Sequence, residues 1–341
     1  MRKLKKLVSV VAVGSLGLLV LGLVTALVLI ALPPPAVDKP RDVFDFASLK
    51  RAPAPTDLPA LMRYPARDGE ALPYRFYDSK AERILIFIHG SSYHGAGYHE
   101  LATRISGAGA AKVVLPNMRG HYMAEPRPGD VDYIGQFEDD IADLIKHLRS
   151  DNRRGPITLG GHSSGGGFVI RFAGGEHRGL VDSFLPLAPV IPTSPAVRTG
   201  NAGGWANLNR RRLFGLIALN AVGIHAFDSL KIVDFNKPEE LRDGTETLAY
   251  SYRLNVSYHP RFRYQTDLRA LGQRALVMIG QNDEAIDAAV LRSVIAADAP
   301  DARFEALPGI NHFGIFREPV ALDMMAAWLS ALPSAPPPPG K

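Results

Sequence analysis

Residues 156–161 (PITLGG) form a short apolar run of strand character, and residues 168–175 (FVIRFAGG) open a helical segment. Between them stands Gly161-His162-Ser163-Ser164-Gly165, followed by Gly166 and Gly167. A serine at so sharp a strand-to-helix turn lifts its hydroxyl above the sheet edge. The turn crowds the backbone on both sides, so glycine is needed two positions before it and two after. The helix that follows directs the partial positive charge of its N-terminus at the same spot. A bare G-x-S-x-G arises by chance in a chain with 32 glycines. With the strand before it and the helix after it, the motif marks Ser163 as the candidate nucleophile. Ser164 lacks the glycine spacing, and His162 reads as a turn residue.

A serine hydroxyl needs a general base, and the base needs an acid to orient it. The order expected after a nucleophile of this kind is acid, then histidine. Asp283, in MIGQNDEAID, follows the apolar run RALVMIG (274–280). His312, in LPGINHFGIF, follows RFEALP (303–308). Both therefore fall on loops at strand ends, the edge that also carries the nucleophile. Asp287 and Glu284 are rival acids, but Asp283 is nearest its strand end. Attack on a carbonyl creates an oxyanion that needs two donors. One is the Ser164 N–H, next after the nucleophile. The other is expected from His89-Gly90-Ser91-Ser92, after the strand RILIFIHG (83–90), at the Ser91 N–H. Such a donor contributes about 3–4 kcal/mol in a transition state. Gly90, Gly161 and Gly165 support these turns, and His89 is expected to order its loop.

The remaining pattern alternates strand and helix. LMRYPA and ALPYRFY flank Asp68-Gly69 as a hairpin over 61–78. AKVVLP (111–116) and SFLPLAP (183–189) add strands. Residues 136–150 place Phe137, Ile141, Leu144, Ile145 and Leu148 on one helical face, with acids in the first turn and cations in the last. A further helix is expected over 317–331. This alternation predicts an α/β protein whose mostly parallel central sheet is covered by helices on both faces. Residues 191–270 break the rhythm and read as a helical cap insertion. In it, Arg210-Arg211-Arg212 precedes the apolar run 213–227, which is short for a bilayer span. That run reads either as a helix packed on the core or as an acyl-chain wall or membrane-facing lid.

Residues 7–32 hold no charge and follow the basic stub MRKLKK. A run of that length suffices for a transmembrane helix, and the flanking cations place the N-terminus in the cytoplasm. A cleaved signal peptide is the competing reading, although its apolar region is usually shorter and ends in a small-residue cleavage site. The expected organisation is an anchor over 1–32, a Pro-rich linker over 33–58, a catalytic domain over 59–332 and a disordered tail over 333–341. The catalytic domain would then lie on the non-cytoplasmic side, or be secreted if the segment is cleaved.

Composition excludes several classes. The formal charge is +5, but Arg2, Lys3, Lys5 and Lys6 account for most of it, leaving 35 cations against 34 acids. That is no footprint for nucleic acid. The absence of cysteine excludes disulfides, thiolate metal sites and cysteine nucleophiles. His89, His94, His99 and His121 lie on Gly-rich loops without helix-face ligand spacing, so no metal or other cofactor is expected.

HGSS (89–92), NMRGH (117–121), GHSSG (161–165), GQNDEAID (280–287) and INHFG (310–314) occur in the order found in the α/β-hydrolase superfamily, which the chain resembles over about residues 61–331. The likeness is greatest to the lysophospholipase, monoacylglycerol lipase and serine-aminopeptidase-like group, whose insertion covers the site. It implies ester, thioester or amide hydrolysis through an acyl-enzyme, with the triad carried onto Ser163, Asp283 and His312. Asn117 departs from the Asp that many relatives have before R-G-H, which affects a loop. Serine at 163 argues against the branches with a carboxylate nucleophile. Three readings follow. The first is a membrane-anchored hydrolase of a small-molecule or lipid ester such as a lysophospholipid or acylglycerol. The second is an aminopeptidase, in which Glu239, Glu240, Asp243 or Glu246 would hold the substrate ammonium. The third is a non-catalytic binding module that keeps the fold.

Overall fold

The computed structural model describes residues 2–33, 44, 57–124, 127–198 and 204–333, with side chains from residue 14 onward. Most of the linker and nearly all of the expected tail lie outside the described residues.

Short runs of apolar residues too brief for helices assemble as one eight-stranded sheet. In chain order the strands are β1 (Leu61–Pro65), β2 (Ala71–Tyr77), β3 (Ile84–Ile88), β4 (Lys112–Pro116), β5 (Ile157–His162), β6 (Ser183–Leu187), β10 (Leu276–Gly280) and β11 (Arg303–Leu307). They lie in the order β1-β2-β4-β3-β5-β6-β10-β11. The β1/β2 hairpin and its joint to β4 are antiparallel, and every other pairing is parallel. Successive strand residues point to opposite faces. Every residue of β3, β5, β6 and β10 is buried, so both faces of the sheet centre are covered. The helices of this body are α2 (His99–Gly107), α3 (Gln136–Ser150), α4 (Ser164–Ala173), α8 (Ala288–Asp298) and α9 (Pro319–Ala331). The α4 helix lies on β3, β5 and β6, and α2 packs on α9.

The insertion between β6 and β10 is not wholly helical. Strands β7 (Ala206–Leu208), β8 (Lys231–Phe235) and β9 (Ala249–Ser251) form a small antiparallel sheet beside α5 (Arg210–Asn220) and α6 (Tyr252–Ser257). The apolar run 213–227 is helical only in its first half. Gly223 turns the chain at φ 80°, and Asn220 Nδ2 donates to Asp228 Oδ1 at 2.6 Å to close the turn. The last helix of the insertion, α7 (Tyr264–Arg269), packs on α4 and α8 of the body.

The N-terminal helix α1 (Arg2–Ala31) is long and apolar enough to cross a membrane, and a signal sequence meets the same criteria of length and composition. Its C-terminal end is buried against α5. Ala26 and Ile30 pack with Leu216, Leu219, Ile232 and Tyr252. Gly215 permits the approach, since a Cβ there would stand 2.7 Å from the Ala26 carbonyl oxygen. Arg212 Nε donates to the Ile30 carbonyl at 3.3 Å, satisfying one of the open acceptors at the helix end. Leu18, Leu21, Val24 and Val28 remain exposed on α1.

Candidate active site

Ser163 sits between β5 and α4 at φ 58°, ψ −118°, a conformation that costs a non-glycine residue about 1–3 kcal/mol. Surrounding hydrogen bonds hold it there. Its N–H donates to the Leu187 carbonyl at 2.9 Å, and its carbonyl accepts from Gly167 N at 2.9 Å and Val190 N at 3.0 Å. The flanking glycines answer to space. A Cβ on Gly161 would stand 2.5 Å from the Gly165 carbonyl oxygen, and one on Gly165 would stand 2.4 Å from that of Ile88. Both obstacles are backbone, so neither moves aside cheaply.

The structure brings Ser163, His312 and Asp283 together. His312 Nε2 lies 3.1 Å from Ser163 Oγ, and His312 Nδ1 lies 2.7 Å from Asp283 Oδ2. Asp283 is buried, and its other oxygen accepts from Ala285 N at 2.9 Å and Ile286 N at 2.8 Å. With one oxygen held by two amides, the second is aimed at the imidazole. The rival acids have other work. Asp287 caps α8 by accepting from Ala289 N and Val290 N, and Glu284 accepts the His312 backbone N–H at 2.9 Å.

Ser91 and Ser164 face each other across the end of β3, with their hydroxyls hydrogen-bonded together. Among the described residues, neither backbone N–H has an acceptor. Two open amides beside a serine hydroxyl suit an oxyanion. His89 Nε2 accepts from Met118 N at 3.0 Å, and its Nδ1 lies 3.0 Å from both the Gly90 carbonyl and the Tyr258 hydroxyl. Burial, and next the neighbouring His121, hold His89 well below the usual histidine range. The ring is therefore a neutral brace for the loop 89–92. Gly90 in that loop donates to the Tyr98 hydroxyl at 2.9 Å. His162 is neutral for the same reason, chiefly burial, and spans Tyr98 and the His312 carbonyl.

Sequence reasoning missed the tyrosines that tie the insertion to this loop. Tyr250, at β9, accepts the Ser92 N–H at 2.7 Å and bonds His121 Nε2 at 2.6 Å. Tyr258, just past α6, donates to the His89 carbonyl. Burial pushes both phenols up, so they remain protonated donors. The only signal for them was aromatic residues in the insertion, and tyrosine spacing does not reveal such distant partners.

A cavity of about 560 Å³ opens beside Ser163. Its wall is largely apolar, with Val190, Val197, Leu208, Val233 and Phe235 among its members, and among the described residues no aspartate or glutamate lines it. Glu239, Glu240, Asp243 and Glu246 all lie away from it. Glu246 pairs with Lys237, and Asp243 bonds Thr245. The four histidines weighed as a metal cluster have separate partners. His89 and His121 are engaged as described, His94 meets Thr245 and His99 meets Tyr77. Asn117, the departure from the family pattern, clamps its loop by accepting from Gly95 N and donating to the Tyr122 carbonyl.

Residues 79–319 match the family model described as serine aminopeptidase, S33. The monoacylglycerol lipase of Mycolicibacterium smegmatis is 23% identical over 269 residues, covering 74% of this chain and 89% of that protein. The human monoglyceride lipase is 29% identical over 148 residues, 42% of this chain and 46% of its own length. Among solved structures, a soluble variant of the Saccharomyces cerevisiae monoglyceride lipase superposes with a TM-score of 0.60 at 17% identity, covering 82% of this chain and 97% of that one. The chain belongs to the serine aminopeptidase S33 family and to the α/β-hydrolase, monoacylglycerol-lipase-like group within which its relatives fall. It is a hydrolase of the lipase and esterase type.

Proposed function

We propose that the protein is a serine esterase that cleaves acyl esters of the monoacylglycerol kind through an acyl-enzyme. The observation that carries this is the hydrogen-bonded series Ser163–His312–Asp283, whose Ser163 lines a largely apolar cavity. His312 Nε2 takes the Ser163 proton as Oγ bonds to the ester carbonyl carbon. The carbonyl oxygen becomes an oxyanion and accepts from the Ser91 and Ser164 amides. Collapse breaks the carbon–oxygen bond to the alcohol, which leaves with the proton from His312. Water, deprotonated by the same nitrogen, then attacks the acyl carbon and releases the carboxylic acid and free Ser163. Asp283 holds the tautomer with its proton on Nδ1 and stabilises the imidazolium.

A substrate ammonium would need a carboxylate in the cavity wall; among the described residues the wall carries none, and its apolar members suit an acyl chain, which supports the ester reading. The monoacylglycerol lipases among the relatives support an acylglycerol as the substrate class. The α1 helix anchors the enzyme in a membrane, with its basic end cytoplasmic and the hydrolase domain on the other side. Fluorophosphonate labelling tests the nucleophile: the wild type labels and Ser163→Ala does not. A folded wild type that resists the probe overturns the reading in favour of a binding module. Hydrolysis of aminoacyl amides without any ester hydrolysis moves it to a peptidase. Because the chain has no cysteine, single cysteines at residues 4 and 337, probed with an impermeant maleimide, report the orientation cleanly.

A further inference from the structure

Phe44 precedes the residues matched by the family model, 79–319, and belongs to the Pro-rich segment that follows α1. A phenylalanine in such a segment is ordinarily left in solvent, yet Phe44 is only 6% exposed. Its ring stacks on the His312 imidazole with centroids 4.9 Å apart and planes inclined by 27°. It also meets Phe313 at 5.2 Å and, edge-on, Trp205 of the insertion at 5.7 Å. It lines both the large cavity and the smaller space between Ser163, His162 and His312.

We propose that Phe44 is a positioning residue for His312 and a specificity-determining wall of the acyl cavity, supplied from outside the hydrolase domain. Both nitrogens of His312 are engaged in the ring plane, one with Ser163 and the other with Asp283. Only the faces of the imidazole remain for packing, and Phe44 covers one. A flat ring there fixes the tilt of the imidazole without competing for its protons. When His312 takes the Ser163 proton, its positive charge meets the negative face of the Phe44 ring, an interaction absent from the neutral ground state. That difference accelerates the chemical step rather than binding. The contact with Trp205 does a second thing: it closes the cavity wall between the insertion and the catalytic histidine, where an acyl chain would otherwise meet water.

The inference rests on His312 acting as the base, so the test reads both. Kinetics on p-nitrophenyl esters of short and long acyl chains are measured in full-length protein for Phe44→Ala, Phe44→Leu and Phe44→Tyr, beside Ser163→Ala. Leu restores apolar volume without a ring, and Tyr restores the ring. For Phe44→Leu, kcat is expected to fall about 3- to 10-fold at nearly constant KM, the size of a cation–π contact, and Phe44→Tyr is expected to recover it. For Phe44→Ala, KM for the long ester is expected to rise as well, while KM for the short ester changes little. Equal kcat in the Leu and Tyr variants overturns the positioning role. Wild-type kinetics for Phe44→Ala on both esters overturns the whole proposal. Undiminished activity in Ser163→Ala instead strikes at the esterase reading itself. Phe44→Leu and Phe44→Tyr keep the test decisive if Phe44→Ala fails to fold.

Discussion

Replacing Asp283 by asparagine changes one oxygen to an amide nitrogen, and the surroundings dictate how that residue must sit. The oxygen facing Ala285 N and Ile286 N accepts two donors. An asparagine oxygen placed there keeps both bonds. Its NH₂ then faces His312 Nδ1 at the former 2.7 Å contact, where a donor now stands. The imidazole answers by moving its proton to Nε2, and Nε2 can no longer accept from Ser163. Turning the amide over to save the histidine would press NH₂ against two backbone N–H groups, and each unsatisfied buried donor costs about 1–3 kcal/mol. The wrong tautomer is therefore favoured. At a triad of this geometry that error costs about 10⁴ in kcat, or about 5.5 kcal/mol of transition-state stabilisation. Steady-state kcat for a p-nitrophenyl ester checks it, with circular dichroism confirming the fold. Asn is expected to be about as damaging as Ala. A loss smaller than tenfold for Asp283→Asn would refute the tautomer argument and reopen the assignment of the acid.

Three further outcomes are expected. Gly165→Ala places a Cβ 2.4 Å from the Ile88 carbonyl oxygen, so it should cost about 1–3 kcal/mol by overpacking and also lower kcat by shifting the Ser164 amide; a urea midpoint and kcat both at wild-type values would contradict it. Burial holds His94 and His121 down to about 4 and His259 to about 3 in the folded protein, whereas the unfolded chain titrates near 6.5. The unfolded state thus binds more protons below about pH 6.5, and stability should fall on acidification from there toward pH 4, by up to about 1.4 kcal/mol per pH unit for each such histidine; melting temperatures unchanged from pH 8 to 5 would count against neutral burial. Gly215→Leu drives a side chain into Ala26 and Ile30 and should free α1 from α5, seen as faster hydrogen exchange over 210–220 with ester turnover retained, whereas unchanged exchange would mean that the contact does not stabilise α5.

Much of the body was legible because its signals are local. Five-residue runs such as ILIFI and LVMIG have nowhere to go but a doubly covered sheet, and the α3 stripe with its end charges marks a helix over the residues observed. The chain order of Ser163, Asp283 and His312 named three residues that the structure places in hydrogen-bonding contact. The insertion resisted. Strands β7 and β9 are three residues long and have no periodicity to read. The run 213–227 is apolar throughout, so composition could not show that Gly223 and the Asn220–Asp228 bond end the helix. Phe44, Tyr250 and Tyr258 owe their places to partners far along the chain, which no local pattern records.

The hydrogen bonds that Tyr250 and Tyr258 share with the loop 89–92 also bear on how the insertion can move. A lid hinged freely at its two ends swings aside and leaves the chemistry beneath it intact. This one is latched to Ser92 and His89 through buried phenols, so lifting it would pull on the Ser91 amide and leave protected polar groups bare. The insertion is set like a keystone: roof and reaction centre share the same buried hydrogen bonds, so raising the one disturbs the other.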